Sequence, residues 1–230
     1  MQTILITGAN RGIGLELSRH FATAGWRVFA CCRDPAKATE LAKLQKGSGG
    51  AVSLHALEVT DQASIERLAA ALSDEALDAL VNNAGVDGRK AGSIGATDTK
   101  AWLETFAINS IAPMHMAEAF LPHLARGKRK IIATISSRMG SVAENSGGSY
   151  AYRASKAAVN SVMKGLSVDL KGKGITAVTL HPGWVRTDMG GPSAPVAPSE
   201  SASGLLQVIS GLKPADSGKF LSFDGSAIPW

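Results

Sequence analysis

The sequence predicts an α/β fold, a doubly wound parallel sheet of about seven strands with helices on both faces, folded as a single domain over residues 1–230. Three observations predict it. Short apolar runs alternate with helix-period segments along the whole chain, and no linker interrupts them. A glycine-rich turn, Gly8-Ala9-Asn10-Arg11-Gly12-Ile13-Gly14, lies between the first apolar run and the first helical period. At 230 residues and 45% hydrophobic, the chain can bury a substantial core yet is short for two domains. Such alternation implies parallel strands, and right-handed crossovers then bring a ligand to their carboxyl ends.

Thr3 to Thr7 is a β-branched, apolar run that reads as a buried strand, and Leu15, Leu17, Phe21 and Ala22 follow at the spacing of a helix over Gly12 to Ala24. Val28 to Cys32 forms the second strand. It ends in adjacent Cys31 and Cys32, where a mutual disulfide would be strained and a metal site would lack partners, so both read as buried thiols and no metal is expected. A helix over Pro35 to Gln45 closes in the flexible turn Gly47-Ser48-Gly49-Gly50. Next come a strand over Val52 to Leu57, a helix over Ser64 to Leu72 and a strand over Leu77 to Val81. A helix over Lys100 to Ile108 continues into Ala112 to Leu124, before a strand over Lys130 to Ile135 and a helix over Tyr152 to Leu170. The last elements are a strand over Ile175 to Leu180, a helix over Glu200 to Gly211 and a strand over Lys219 to Phe223. Gly190 to Ser203, rich in Gly, Pro, Ser and Ala, is the one long irregular segment, and a substrate lid is expected at about 188–203.

Lys and Arg number 24 against 19 Asp and Glu, a formal charge of +5. The dense cluster Arg126-Gly127-Lys128-Arg129-Lys130 sits in a loop before a strand and reads as a solvated turn. No aromatics interleave with it to stack bases, so nucleic acid is excluded as a partner, whereas a modest positive charge suits an anionic dinucleotide. No apolar run reaches spanning length, and the first strand begins within three residues of Met1, which leaves no room for a signal peptide. A cytoplasmic protein with no membrane partner is expected.

The chemistry is carried by two motifs. In the glycine turn, Gly8 permits the tight bend, Gly12 lets the backbone approach a pyrophosphate, and Gly14 lets the helix pack on the strand, with phosphates facing the helix N-terminus. Tyr152 and Lys156 sit four residues apart and share one helix face, so a phenol and an ammonium can address one reacting centre. A nearby cation stabilises a phenolate and is expected to lower the tyrosine pKa, as suits a proton donor to a carbonyl oxygen. Tyr150 lies six residues before Lys156 and is rotated off that face.

Thr7-Gly8-x-x-x-Gly12-Ile13-Gly14, Asn82-Asn83-Ala84-Gly85, Asn109, Ser136-Ser137, Tyr152-x-x-x-Lys156 and Pro182-Gly183-x-x-x-Thr187 stand in the order found in the short-chain dehydrogenase/reductase family. The chain resembles that family along its whole length. The wording of Ser136 to Ser141, Tyr150 to Lys156 and His181 to Gly191 resembles the branch containing C-factor and the sniffer-type carbonyl reductases. The resemblance implies a Rossmann-type sheet and an oxidoreductase that transfers hydride between NADP(H) and a small-molecule carbonyl or alcohol. It implies Tyr152 as general acid/base, Lys156 as the group that tunes the tyrosine and holds the nicotinamide ribose, and Ser137 as a hydrogen-bond partner of the substrate oxygen. Asn109 would anchor a water that links Lys156 to solvent. Cofactor contacts are implied for Gly8, Asn10, Arg11, Gly12, Ile13, Gly14, Val59, Asn83, Ala84, Gly85, Tyr152, Lys156, Pro182, Gly183, Val185 and Thr187. A homodimer or homotetramer through the two long helices is implied, a monomer being the alternative. Read singly, the serines could cap a strand, Asn109 could end a helix and Tyr152 could be core.

Cofactor choice turns on the end of the second strand. NAD enzymes place a carboxylate there for the adenosine ribose, and NADP enzymes supply a cation for the 2′-phosphate. Cys32 holds that position, Arg33 follows it, and Arg11 lies in the glycine loop, so two cations are expected to converge on the phosphate and NADP is favoured over NAD. Asp34 is the counter-argument. Glu58 stands where the family has the aspartate that touches adenine, so that contact passes through the longer side chain or to a backbone group. Trp184 is expected to touch substrate, Trp230 to pack on the lid, and His181 to be structural. The alternative function is a C-factor-like signalling protein that binds dinucleotide with incidental turnover.

Overall fold

The structure, a computed structural model, describes residues 1–230 apart from the side chain of Lys90. Seven strands, β1 (Thr3–Thr7), β2 (Arg27–Cys32), β3 (Val52–Ala56), β4 (Ala79–Asn82), β5 (Ile131–Ile135), β6 (Thr176–His181) and β7 (Phe220–Ser222), form one sheet in the order β3-β2-β1-β4-β5-β6-β7. Every ladder is parallel. The helices are α1 (Gly12–Thr23), α2 (Thr39–Gly47), α3 (Gln62–Ala71), α4 (Thr99–Phe106), α5 (Ala112–Arg126), α6 (Tyr150–Asp169) and α7 (Pro198–Gly211). The expected doubly wound fold is therefore the observed one.

Alternation along each strand splits the core into two layers. Ile4, Ile6, Val28, Ala30, Val81, Ala133 and Val178 face one side, where Leu17 and Phe21 of α1 and Leu205 and Ile209 of α7 cover them. Leu5, Phe29, Leu80, Ile132 and Ala177 face the other, under Ile65 of α3, Phe120 of α5 and Val159 of α6. Both faces are dry, which is why the strands read as continuous apolar runs. Cys31 and Cys32 are buried free thiols, and burial pushes both thiols up from their ordinary pKa. Strand order reverses between β1 and β4, which leaves a crevice at their carboxyl ends, the position at which doubly wound sheets bind ligands.

Several expectations require correction. The irregular stretch expected over Gly190 to Ser203 stops at Ala197, because Pro198 starts α7 and the Glu200 carboxylate accepts from the Ala197 N–H. A second long irregular segment, 83–98, follows β4 and contains only the 3-10 turn Arg89–Ala91. The helix expected from Pro35 is split into a 3-10 turn, Pro35–Lys37, and α2. The basic cluster is a turn whose Arg126 and Lys128 are exposed, as expected, but it is also tied to the fold. Asp78 accepts from the N–H groups of Lys128 and Arg129, Arg126 donates to the carbonyls of Ser73 and Glu75, and Arg129 donates to those of Ile209 and Leu212. These arginines satisfy orphan carbonyls at chain turns and helix ends, a use that composition does not reveal.

Between α4 and α5 the helix widens into a π segment, Ala107–Ile111, in which the Ala112 N–H donates to the Ala107 carbonyl. Pro113 is the local cause: it has no N–H for the carbonyl of Asn109 four residues earlier. Among the described residues no helix is long and apolar enough to cross a membrane.

Candidate active site

A groove of about 660 Å³ runs across the carboxyl ends of the strands. It is lined by sixteen of the residues expected to touch cofactor: Gly8, Asn10, Arg11, Gly12, Ile13, Gly14, Arg33, Glu58, Val59, Asn83, Ala84, Gly85, Tyr152, Lys156, Pro182 and Thr187. Gly183 and Val185 are not among the lining residues. Gly183 packs against Phe223, and Val185 is buried and bridges to Val196. Lining residues outside both the expected cofactor contacts and the expected lid include Lys37, Ile108 and Arg186, and Asp188 and Met189 of the expected lid also line it.

The floor is set where β1 meets β4. Gly8 has φ +65°, and a Cβ at Gly14 would lie 2.3 Å from the Gly8 carbonyl oxygen, so α1 can sit this close to the strand only without a side chain there. The Thr7 hydroxyl accepts from the N–H groups of Asn83 and Ala84, each at 3.0 Å, and the Asn83 amide donates back to the carbonyls of Thr7 and Gly8. Thr7 was part of the motif but not of the expected site. Its position at the end of a strand was visible, but its partners, more than seventy residues away, were not. The α1 N-terminus has no side-chain cap and no acid in its first turn, so its first N–H groups stay available to an anion.

At the outer end, Cys32 closes β2 and Arg33 follows it, exposed and in no ion pair among the described residues. Asp34 is committed elsewhere. Its carboxylate accepts from the Ala36 N–H at 3.2 Å and pairs with Lys37 at 2.9 Å, and Lys37 holds it below the usual carboxylate range. The Glu58 carboxylate folds back onto its own turn, accepting from the N–H of Thr60 at 3.1 Å and from its hydroxyl at 2.8 Å. Arg11 does not point to the phosphate end alone: it is ion-paired with Asp188.

At the inner end, α6 begins at Tyr150, which fixes Tyr152 and Lys156 in one helical register and leaves Tyr150 half-exposed and off the shared face. Lys156 is buried, its Nζ donates to the Ile135 carbonyl at 2.9 Å, and it lies 5.8 Å from the centre of the Tyr152 ring. Burial alone pulls the lysine pKa down from 10.5 to about 8. The expected lowering of the tyrosine pKa is not found. Burial pushes the Tyr152 phenol up, a hydrogen bond with Ser137 opposes the rise, and the Asp87 charge adds to it. Desolvation is the largest cause, and the phenol is protonated at neutral pH.

Asn109 sits in the π segment, where its amide donates to the Val86 carbonyl and the Ser155 hydroxyl and its oxygen accepts from the Val86 N–H. Both side-chain donors are thus used within the protein. Ser136 lines the groove and donates to Asn160 at 2.7 Å, whereas Ser137 is buried, accepts from the Met139 N–H at 3.2 Å and is not among the lining residues. His181 accepts from the Arg138 N–H through Nδ1, and burial lowers its pKa to about 4, so it stays neutral and structural.

The segment from Pro182 to Ala197 borders the groove through Pro182, Arg186, Thr187, Asp188 and Met189. Trp184 braces it by donating from its indole to the Gly190 carbonyl at 2.9 Å, and Arg186 donates to the carbonyls of Ala194 and Pro195. Arg89, itself paired with Asp87, donates to the Met189 carbonyl from the opposite bank. Trp230 does not pack on this segment. Its ring stacks on Phe220, and its carbonyl oxygen accepts from Ala143 and Ser141.

A family model described as short chain dehydrogenase matches residues 2–196. The C-signal protein of Myxococcus xanthus is 46% identical over 155 residues, 67% of this chain and 93% of that protein. Among solved structures, the NADPH-bound carbonyl reductase from chicken fatty liver is 38% identical with a TM-score of 0.93, covering 100% of this chain and 99% of that one. The carbonyl reductase Sniffer of D. melanogaster is 36% identical with a TM-score of 0.93, and the match covers 100% of both chains.

Proposed function

The chain belongs to the short-chain dehydrogenase family, and from that membership we propose that it is an NADP-dependent carbonyl reductase in which Tyr152 is the general acid. The observation that carries the reading is the Tyr152 phenol, set one helical turn from buried Lys156, whose Nζ lies 5.8 Å from the centre of its ring, in a groove floored by a glycine turn. The groove fits a dinucleotide. Positive-φ glycines and the uncapped N-terminus of α1 present backbone N–H groups to a pyrophosphate, and Arg33 stands free for a 2′-phosphate. Bound there, the cofactor supplies the hydride.

The protein's own part is proton management and orientation. Tyr152, protonated at neutral pH, donates its proton to the carbonyl oxygen as charge develops there; in the oxidative direction it accepts that proton back. Ser137 hydrogen-bonds the same oxygen and orients the carbonyl. Lys156 holds the nicotinamide ribose hydroxyls. Its lowered pKa of about 8 keeps much of it charged near neutral pH while letting it exchange a proton with little driving force. Asn109 anchors a water through its carbonyl, which Pro113 deprives of a regular donor, rather than through its committed amide. The segment from about 188 to 197 serves as the substrate lid, six residues shorter than the sequence suggests because α7 takes 198–203. The substrate is a small or medium apolar aldehyde or ketone.

A signalling protein that only bound dinucleotide would need the groove but not the Ser137, Tyr152 and Lys156 arrangement, so the enzyme reading is favoured. A carbonyl panel assayed by NADPH oxidation identifies the substrate. With it, Tyr152→Phe is expected to lower turnover at least about a hundred-fold at nearly unchanged cofactor affinity, while Lys156→Ala impairs both. Wild-type turnover in Tyr152→Phe would refute the mechanism.

A further inference from the structure

We propose that Arg153 is a positioning residue that staples the chain before α6 to that helix and so fixes Tyr152 in its first turn; this rests on the carbonyl reductase reading above. Tyr152 follows two residues behind the start of α6, where helices fray because the first N–H groups have no partner within the helix. The usual remedy is missing. Ser149, which precedes the helix, offers no side-chain cap, and its φ of +45° is a strained left-handed conformation for a residue with a Cβ. Gly147 and Gly148 before it are left-handed as well, at φ +80° and +67°. A run of this kind keeps its shape only when contacts from outside hold it.

Arg153 supplies those contacts. Its Nε donates to the Gly147 carbonyl at 2.9 Å, one Nη to the Ser146 hydroxyl at 2.7 Å and the other to the Met139 carbonyl at 3.5 Å. Met139 in turn donates its N–H to the Ser137 hydroxyl at 3.2 Å, so one guanidinium reaches both ends of the segment between Ser137 and α6. The position is a costly one for an arginine. The side chain is buried, no carboxylate pairs with it among the described residues, and a cation near a helix N-terminus opposes the helix dipole. A rigid fork whose nitrogens each find an acceptor offsets these costs, and a lysine reproduces it only in part. Arg153 does not line the groove, so it acts on the reaction only through Tyr152 and Ser137.

The test compares wild type with Arg153→Met, Arg153→Lys, Ser146→Ala and the double variant Arg153→Met, Ser146→Ala, using a carbonyl that wild type reduces. Arg153→Met is expected to lower kcat about a hundred-fold, as misplacing a reacting group by about 1 Å does, with NADPH affinity within about two-fold of wild type. Arg153→Lys should recover about ten-fold of that loss. Ser146 is exposed, and Ser146→Ala should lower kcat about three-fold in wild type and not at all in Arg153→Met, because the two side chains act through one bond. Amide exchange at residue 153, whose N–H bonds the Ser149 carbonyl, should quicken at least about ten-fold in Arg153→Met relative to the slowest core amides. Five results would each overturn the proposal: wild-type kcat in Arg153→Met, an NADPH loss as large as the kcat loss, no recovery in Arg153→Lys, additive effects in the double variant, or unchanged exchange at residue 153. A wild type inactive on every carbonyl tested removes the reductase reading and this proposal with it. An active wild type beside an indifferent Arg153→Met removes the proposal alone.

Discussion

Lys156→Met tests the electrostatics of the site without assuming any substrate. The wild-type ammonium is buried, and its pKa falls from 10.5 to about 8. A depressed lysine destabilises the fold wherever it is charged in both states. Below pH 8 the penalty is complete, and the gap between 10.5 and about 8 corresponds to about 3 kcal/mol. As pH rises through that window the folded state sheds its proton first, and by pH 10 the penalty has fallen to about 0.8 kcal/mol. Methionine has similar length and no charge, so the variant lacks this dependence. It also leaves the Ile135 carbonyl without its donor, a pH-independent cost of about 1–3 kcal/mol. The stability of the variant minus that of wild type should therefore fall by about 2.5 kcal/mol between pH 7 and pH 10, even if its absolute sign at pH 7 is modest. Urea denaturation of both proteins without cofactor, at matched pH, measures it, and other titrating groups cancel in the difference. A difference that is flat with pH would show that Lys156 titrates normally and that the tuning ascribed to its burial is absent.

Arg33→Ala should weaken NADPH at least about ten-fold and NADH little, with the NADPH affinity of wild type falling faster on added salt, because the lost bonds go only to the 2′-phosphate. Equal losses in a titration with both cofactors would assign the ribose to another group. Thr7→Val keeps the shape of the side chain but strips the acceptor from the N–H groups of Asn83 and Ala84. It should cost about 2 kcal/mol by chemical denaturation and weaken the dinucleotide. Unchanged stability would mean that water replaces the hydroxyl at this junction.

The chain is similar both to C-signal and to carbonyl reductases. On the proposed reading, turnover is distinguished from binding at the inner end of the groove, where Tyr152 and buried Lys156 stand one helical turn apart. Strain is not required there. The phenol is protonated at neutral pH, and burial raises its pKa further.

The features readable in the sequence are those set by near neighbours. β1 was legible to the residue because a β-branched run between Gln2 and a glycine has no local alternative. The glycine turn was legible because left-handed backbone at Gly8 and the close approach at Gly14 are demands that only glycine meets. The pairing of Tyr152 with Lys156 followed from helix geometry alone, and the widened helix at Asn109 could have been read from Pro113. Tertiary structure decided everything that depends on what lies across the fold. It tied Arg11 to Asp188, turned Arg126 and Arg129 onto distant carbonyls, and moved Trp230 to Phe220. It also raised the tyrosine pKa where local charge argued for lowering it. Burial sums contributions from every layer of the molecule, and partners separated by tens to hundreds of residues are chosen by topology, so neither is written in the residues on either side of a motif.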